Sequence, residues 1–365
     1  MAEKKARPNM SDSESVVDVL HIGIVGDYPG GMAQVVNGYL DWNFSRCEIN
    51  AVASTSGRRD PLMPFRFINA VRRLIGFTSG TRKKVVVVHL SEGGSFIREG
   101  MIVCFARLLG IPAIAHLHGA NFGEFSSRFS WLTGFVLRRA TGIMVLTDEA
   151  ERIVRCLAPG VAEIRRARNA VSQPSSIVSK EKKVVFCGEL SHRKGIDTLL
   201  AAWARIDRRD WELQLAGPDL IGIGPKPGAG VSYCGPLPHH RVLDLQDRAA
   251  VAVLPSRDEA LPMFLIEAMA RGCAVVSTRV GQIAELVSAD CGRLVEPGDV
   301  DALVESLSLL IDDDVLRDSC GQSARDRVRS DYSMQVVGAD LDQFWFSVAN
   351  NSRSDSVKWA RRGKL

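Results

Sequence analysis

A chain of 365 residues, 46% apolar and 24% charged with a net charge of +4, has the composition of a globular protein and length for two domains of ~150 residues. It holds no run of ~18 uncharged apolar residues, which argues against a spanning helix. Residues 1–17 are mostly polar, with no apolar signal segment, and read as a disordered tail. The eight cysteines form no Cys-x-x-Cys pair and read as small buried residues in a reducing compartment. Charge is uneven: residues 1–172 carry 22 Lys and Arg against 15 Asp and Glu, a net of +7, and the remainder nets −3. Either the basic half faces an anionic surface or a phosphorylated acceptor, or the asymmetry is chance on solvated faces.

In chain order, apolar strand-like runs at 18–25, 49–54, 85–89, 113–117 and 142–146 alternate with helical patterns at 32–39, 65–75, 100–109 and 129–139. That alternation predicts a parallel sheet with helices on both faces. The apolar and basic stretch 65–77, with Arg66, Arg72 and Arg73, could lie on an anionic membrane, and the simpler reading packs it on the sheet with its arginines outward. The Ser-rich stretch 173–182 reads as a linker. Strands at 183–187, 212–216, 231–234, 251–254 and 274–277, with helices at 197–204, 240–248, 265–271 and 300–311, repeat the theme through residue 332. An apolar helical pattern follows at 333–350, then a basic tail at 351–365. The fold class is therefore α/β, with two Rossmann-like doubly wound domains, 18–172 and 183–332. Two such sheets facing each other make a central cleft, and ligands of open α/β sheets bind beyond the carboxyl ends of the strands.

Four segments carry candidate chemistry. Gly30-Gly31 lies between the first strand and its helix, where glycines let backbone N–H groups approach a phosphate or sugar. His116 and His118 alternate onto one face at the end of a strand, and His118 adjoins a glycine. The loop from Gly188 to Gly195 offers Arg193 and Lys194 to a diphosphate, with Asp197 a plausible helix N-cap. Glu259 and Glu267 flank a loop and a helix start near Pro262 or Met263. Two carboxylates beside the free N–H groups of a helix N-terminus suit a diphosphate carrying a polyol on each side, a nucleotide-sugar. No P-loop, His-Glu-x-x-His or Gly-x-Ser-x-Gly occurs, no metal-ligand cluster is evident, and no nucleic-acid motif is present.

Together these motifs resemble a family 4 glycosyltransferase of the GT-B fold, over roughly residues 18 to 350. The Glu259-x7-Glu267 element with its Ala-Met-Ala-Arg-Gly continuation is the most specific part. Asn169-Ala-Val171 occupies the place of the family's Asn-Gly-Val. The resemblance implies that Glu267 binds the ribose and that Glu259 faces the transferred hexose near its anomeric centre. It implies that the backbone of Leu261 and Pro262 contacts hexose or phosphate, and that Lys194 holds the leaving diphosphate with Gly31 close to it. His118 matches the histidine at the donor sugar. It further implies a retaining, metal-independent transfer with no cofactor, and a last helix that returns to the first domain. Three positions depart from the family pattern: Glu189 stands where an arginine is usual, Ala260 replaces a glycine, and Gln282 replaces the second glycine of a Gly-Gly pair.

The expected partners are a UDP- or GDP-sugar, a glycan or lipid-linked acceptor and an anionic membrane surface, at a cytoplasmic location against the inner face of the membrane. The expected process is surface polysaccharide or lipid-linked oligosaccharide synthesis. A nucleotide-sugar epimerase of the same fold, or a non-catalytic sugar-nucleotide-binding subunit, is the alternative.

Overall fold

The computed structural model describes residues 16–26, 28, 30–57, 60–222 and 230–351. Most of the N-terminal tail and all of the C-terminal tail beyond Asn351 lie outside them, as do Asp27 and Pro29 of the first loop. The chain forms two compact units, and each is described by itself.

The first unit holds a parallel sheet of six strands: β1 (Val17–Gly23), β2 (Cys47–Ala53), β3 (Lys84–Leu90), β4 (Ala113–Leu117), β5 (Gly142–Val145) and β6 (Glu163–Arg166), in the order β2-β1-β3-β4-β5-β6. Val17, assigned to the tail by its sequence, opens the first strand because its amide donates to the Arg46 carbonyl. The helices are α1 (Gly31–Asp41), α2 (Met63–Phe77), α3 (Gly94–Leu108), α4 (Phe122–Arg128), α5 (Ser130–Leu137) and α6 (Asp148–Leu157). Strands covered on both faces explain the unbroken run Val85 to Val88, all fully buried. Helix α2 buries Ala70 and Leu74 and turns Arg72 and Arg73 outward. Its outer face also exposes Phe65, Ile68 and Ile75.

The second unit holds β7 (Glu181–Cys187), β8 (Glu212–Ala216), β9 (Val231–Gly235), β10 (Ala249–Leu254), β11 (Ala274–Thr278) and β12 (Gly292–Val295), in the order β12-β11-β10-β7-β8-β9. Its helices are α7 (Ile196–Trp203), α8 (His239–Arg248), α9 (Met263–Ala270), α10 (Ile283–Leu286), α11 (Val300–Asp312), α12 (Asp314–Asp331) and the first turn of α13 (Met334–Asn351). Counted from β7, this is the Rossmann order 3-2-1-4-5-6, so the strand order reverses between β7 and β10.

The division falls at Ala167/Arg168 rather than at 172. Strand β7 takes the last two residues of the linker 173–182. The start of α1, through Gly38, clusters with the second unit, and α13 from Gly338 onward clusters with the first. There Asp342, buried in the first unit, accepts hydrogen bonds from the Ser45 amide and hydroxyl and from the Arg46 amide. Five cysteines are buried, Cys104 and Cys234 are half-buried and Cys156 is exposed, and no pair is bridged. Among the described residues no helix is long and apolar enough to cross a membrane.

Candidate active site

The loops that leave β7 and β10 meet where the strand order reverses. Gly195, the last residue before α7, has φ +70°, and a Cβ there would lie 1.9 Å from the Pro255 carbonyl oxygen. Only glycine adopts that angle at low cost and lets the loops touch. The Arg257 amide donates to the Arg193 carbonyl at 2.8 Å and joins them. At this junction Lys194 Nζ forms an ion pair with Glu259 Oε1. The Ser256 hydroxyl donates to the same oxygen at 2.9 Å. The Lys194 and Glu259 side chains are only 16% and 9% exposed, so the pair is held away from bulk water. Gly281, with φ +52°, supports this loop from the far side: a Cβ would sit 1.9 Å from the Glu259 carbonyl oxygen. The Gln282 amide donates to the Ala260 carbonyl at 2.8 Å.

Glu267 lies one turn into α9, whose N-cap position is Pro262, with no side chain capping the free amides. Its Oε1 is 2.8 Å from His239 Nε2, at the start of α8. Leu261 is anchored by its carbonyl, which accepts from Asn169 Nδ2 at 2.8 Å. The glycine turn reaches the same place. Gly30 has φ +118°, and a Cβ on Gly31 would lie 3.4 Å from Met263 Cγ, at the first residue of α9. Lys194, Glu259, Leu261, Pro262, Glu267, Gly31 and Arg193 therefore belong to one unit, around the carboxyl ends of β7 and β10.

The cations of the β7 loop all have partners. Arg193 donates to the Asp258 carbonyl at 3.2 Å and faces Glu189 at 3.8 Å, so Glu189 is turned toward a cation. Arg257, in the β10 loop, grips both Asp197 oxygens at 2.8 Å and reaches the His192 carbonyl. The Arg257 hydrogen bonds hold the Asp197 carboxyl below the usual range. The N-cap reading of Asp197 is thereby corrected: the cap position is Gly195, and Asp197 sits inside the first turn.

His118 belongs to the other unit. It follows β4, its amide donates to the Leu90 carbonyl at 2.8 Å, and its ring is half-buried. As the alternation predicts, it shares a face with His116, their ring centroids 3.9 Å apart. The sheet register adds two histidines that the sequence left unconnected. His89 of β3 pairs with His116, and its Nδ1 lies 2.8 Å from His118 Nε2. His21 of β1 brings Nδ1 to 2.9 Å from His89 Nε2. Burial pushes His21 and His118 down to about 3 and His89 and His116 well below the ordinary value, so all four rings stay neutral.

The family described as "Glycosyl transferase 4-like domain" matches residues 17–170, and the one described as "Glycosyl transferases group 1" matches residues 167–327. A glycogen synthase of Mycobacterium tuberculosis is 25% identical over 285 residues, 69% of this chain and 67% of that protein. The alpha-D-kanosaminyltransferase of Streptomyces kanamyceticus is 23% identical over 290 residues, 70% of this chain and 75% of that protein. In structure, HepE of Anabaena in complex with UDP-glucose aligns with a TM-score of 0.69 at 14% identity, covering 89% of this chain and 98% of that one.

Proposed function

The chain belongs to the group 1, family 4 glycosyltransferases of the GT-B fold, and from that premise we propose a hexose transfer from a UDP- or GDP-sugar to a hydroxyl of a glycan or lipid-linked acceptor. Anomeric configuration is retained, and neither cofactor nor catalytic metal takes part. The observation that carries this reading is the Lys194–Glu259 pair at the meeting of the β7 and β10 loops.

With no ligand bound, Glu259 neutralises Lys194. An arriving diphosphate offers Lys194 a more highly charged partner, which frees Glu259, still held by Ser256, to accept hexose hydroxyls. Glu267, oriented by His239, accepts the ribose hydroxyls, and the amides at the start of α9 face the phosphates. The bond from the anomeric carbon to the β-phosphate oxygen breaks, and charge builds on that oxygen beside Lys194 Nζ. The acceptor oxygen bonds to the anomeric carbon from the same face, and its proton passes to the departing phosphate. His118 acts at the donor sugar. Arg193 is the second cation of this loop, drawn from Glu189 by the same charge.

The basic first half and the exposed Phe65, Ile68 and Ile75 beside Arg72 and Arg73 support peripheral contact with an anionic cytoplasmic membrane face. That suits a lipid-linked acceptor in surface polysaccharide synthesis. Flotation with anionic liposomes at low salt should carry the protein, and failure to float sinks this part of the reading.

Donor cleavage assayed across UDP-, GDP- and ADP-sugars tests the whole. One nucleotide should be released in preference, and Lys194→Ala should slow the release by about 100-fold or more. Full activity in that variant overturns the reading, and release of an epimerised nucleotide-sugar without acceptor replaces it with the isomerase.

A further inference from the structure

Four of the chain's seven histidines gather in the first unit, three of them on the adjacent strands β1, β3 and β4 and the fourth, His118, just beyond the end of β4. They form a connected line from His21 through His89 to His118, with His116 beside it: the His89 and His116 ring centroids are 5.1 Å apart. Gly23 makes room for the line, since a Cβ there would lie 2.8 Å from the His89 Cβ.

The cluster is under-satisfied. His116 is fully buried, and neither of its ring nitrogens has a hydrogen-bond partner in the protein. A neutral imidazole always carries one donor and one acceptor, and burying either unpaired costs roughly 1–3 kcal/mol. Such orphans in a core point to a missing partner, an ion or a water. The ligand atoms of His89, His116 and His118 all lie within 4.8 Å of one another, the one such group of three among the described residues.

We propose that His89 Nδ1, His116 and His118 Nε2 bind one transition-metal ion, Zn(II) by preference, with His21 as the outer partner that orients His89. Three imidazoles and an open fourth position suit a borderline cation that favours nitrogen. Metal–nitrogen bonds of about 2.0–2.1 Å in a tetrahedral site set the nitrogens roughly 3.3 Å apart. His89 and His118 then separate by about half an ångström from their 2.8 Å hydrogen bond. His21 Nδ1, 2.9 Å from the other nitrogen of His89, accepts its N–H and selects the tautomer that leaves Nδ1 free for the ion. The half-buried His118 gives the ion its route and its fourth ligand, a water. The Glu92 carboxylate packs against Gly119, next to His118, and lends negative charge nearby. Because the ion engages His118, it blocks that residue rather than serving the transfer, a consequence that rests on the function proposed for His118. The binding itself does not.

The test is a Co(II) and Zn(II) titration of the full-length, chelator-treated protein in the absence of any sugar nucleotide. One ion per chain is expected, with a visible Co(II) band that Zn(II) displaces. His116→Asn and His118→Gln should each weaken it by about 100-fold or more. The exposed His240, replaced by alanine, should leave it unchanged. Two variants guard against a folding failure in one. The proposal is overturned if no ion binds, as when water fills the cluster. It is equally overturned if both histidine variants bind as the parent does, which would assign the ion to surface histidines or to Cys156.

Discussion

The site of the second unit and the histidine cluster of the first handle buried polar groups in opposite ways. In the second unit's site the charges stand beyond the strand ends, in loops and on the helices that follow them, and each has a counter-charge or hydrogen-bond partner: Lys194 with Glu259, Arg257 with Asp197, Glu267 with His239. In the first unit four histidines sit within or at the end of the strands, uncharged, with three ring nitrogens lacking any partner in the protein. A charge-compensated cluster is poised for exchange, because an incoming anion can take the place of an internal one. A neutral, under-satisfied cluster is poised for capture, because what it lacks is a ligand for its lone pairs. The comparison also separates how each site is built. Glycines in left-handed conformation bring the loops of the second unit together, whereas adjacent strands bring together the histidines of the first.

The strongest way to break the comparison is Lys194→Ala. It removes the one cation paired with Glu259 and leaves that carboxylate buried beside Ser256. Donor cleavage is expected to fall by about 100- to 1000-fold, the usual loss when a donor to a developing oxyanion is removed. Melting temperature should fall as well, since an uncompensated charge remains behind. Unchanged kcat would mean that the pair is structural only. Gly195→Ala attacks the loop contact itself. Its Cβ cannot coexist with the Pro255 carbonyl at 1.9 Å, so a loss of about 3 kcal/mol or more is expected in urea unfolding. A smaller loss would show that the two loops need not touch. His239→Ala is milder. Glu267 loses its 2.8 Å partner but keeps its place on α9, and KM for the donor should rise by about tenfold with kcat little changed. An equal fall in kcat would instead assign His239 to the transition state.

The same contrast explains what the sequence discloses. Strands buried on both faces read as apolar runs, and those at 85–89 and 113–117 stand out for that reason. The edge strand Glu163–Arg166 carries Glu-Ile-Arg-Arg, half-buried throughout, and has no such signal. The short edge strand Gly292–Val295 is silent for the same cause, and the mostly polar α12 buries only a stripe of small residues, Cys320, Gly321, Ala324 and Val328. The site of the second unit is legible because each of its two loops holds its residues together in sequence, as in Arg193-Lys194-Gly195 and in Glu259 to Glu267. His239 escapes because its partner lies 28 residues away and it belongs to no motif. The histidine cluster escapes for a deeper reason. His21 and His89 are ordinary residues of apolar strands until the register pairs His21 with Val87, two residues from His89 on one face, and His89 with His116.

Acidity offers the finest discrimination between the units, because one carboxyl in each is displaced in the opposite direction. In the first unit Glu99 is buried against Ser54, Ser95 and Arg98, and burial raises it above the ordinary value. A raised carboxyl binds its proton more tightly when folded. Its contribution to stability is therefore complete below the unfolded value and is lost as pH rises through the folded one. In the second unit Asp197 is lowered, chiefly by the Arg257 hydrogen bonds, so its contribution is present above the unfolded value and lost as pH falls through the folded one. Glu99→Gln should thus gain stability relative to the parent as pH rises from about 4 toward 7, with denaturant midpoints as the measurement. Asp197→Asn should lose ground instead as pH rises toward about 4, between the lowered folded value and the ordinary one, and by less, because its side chain is one-third exposed and screened by solvent. Parallel slopes for the two variants would mean that these carboxyls share one environment.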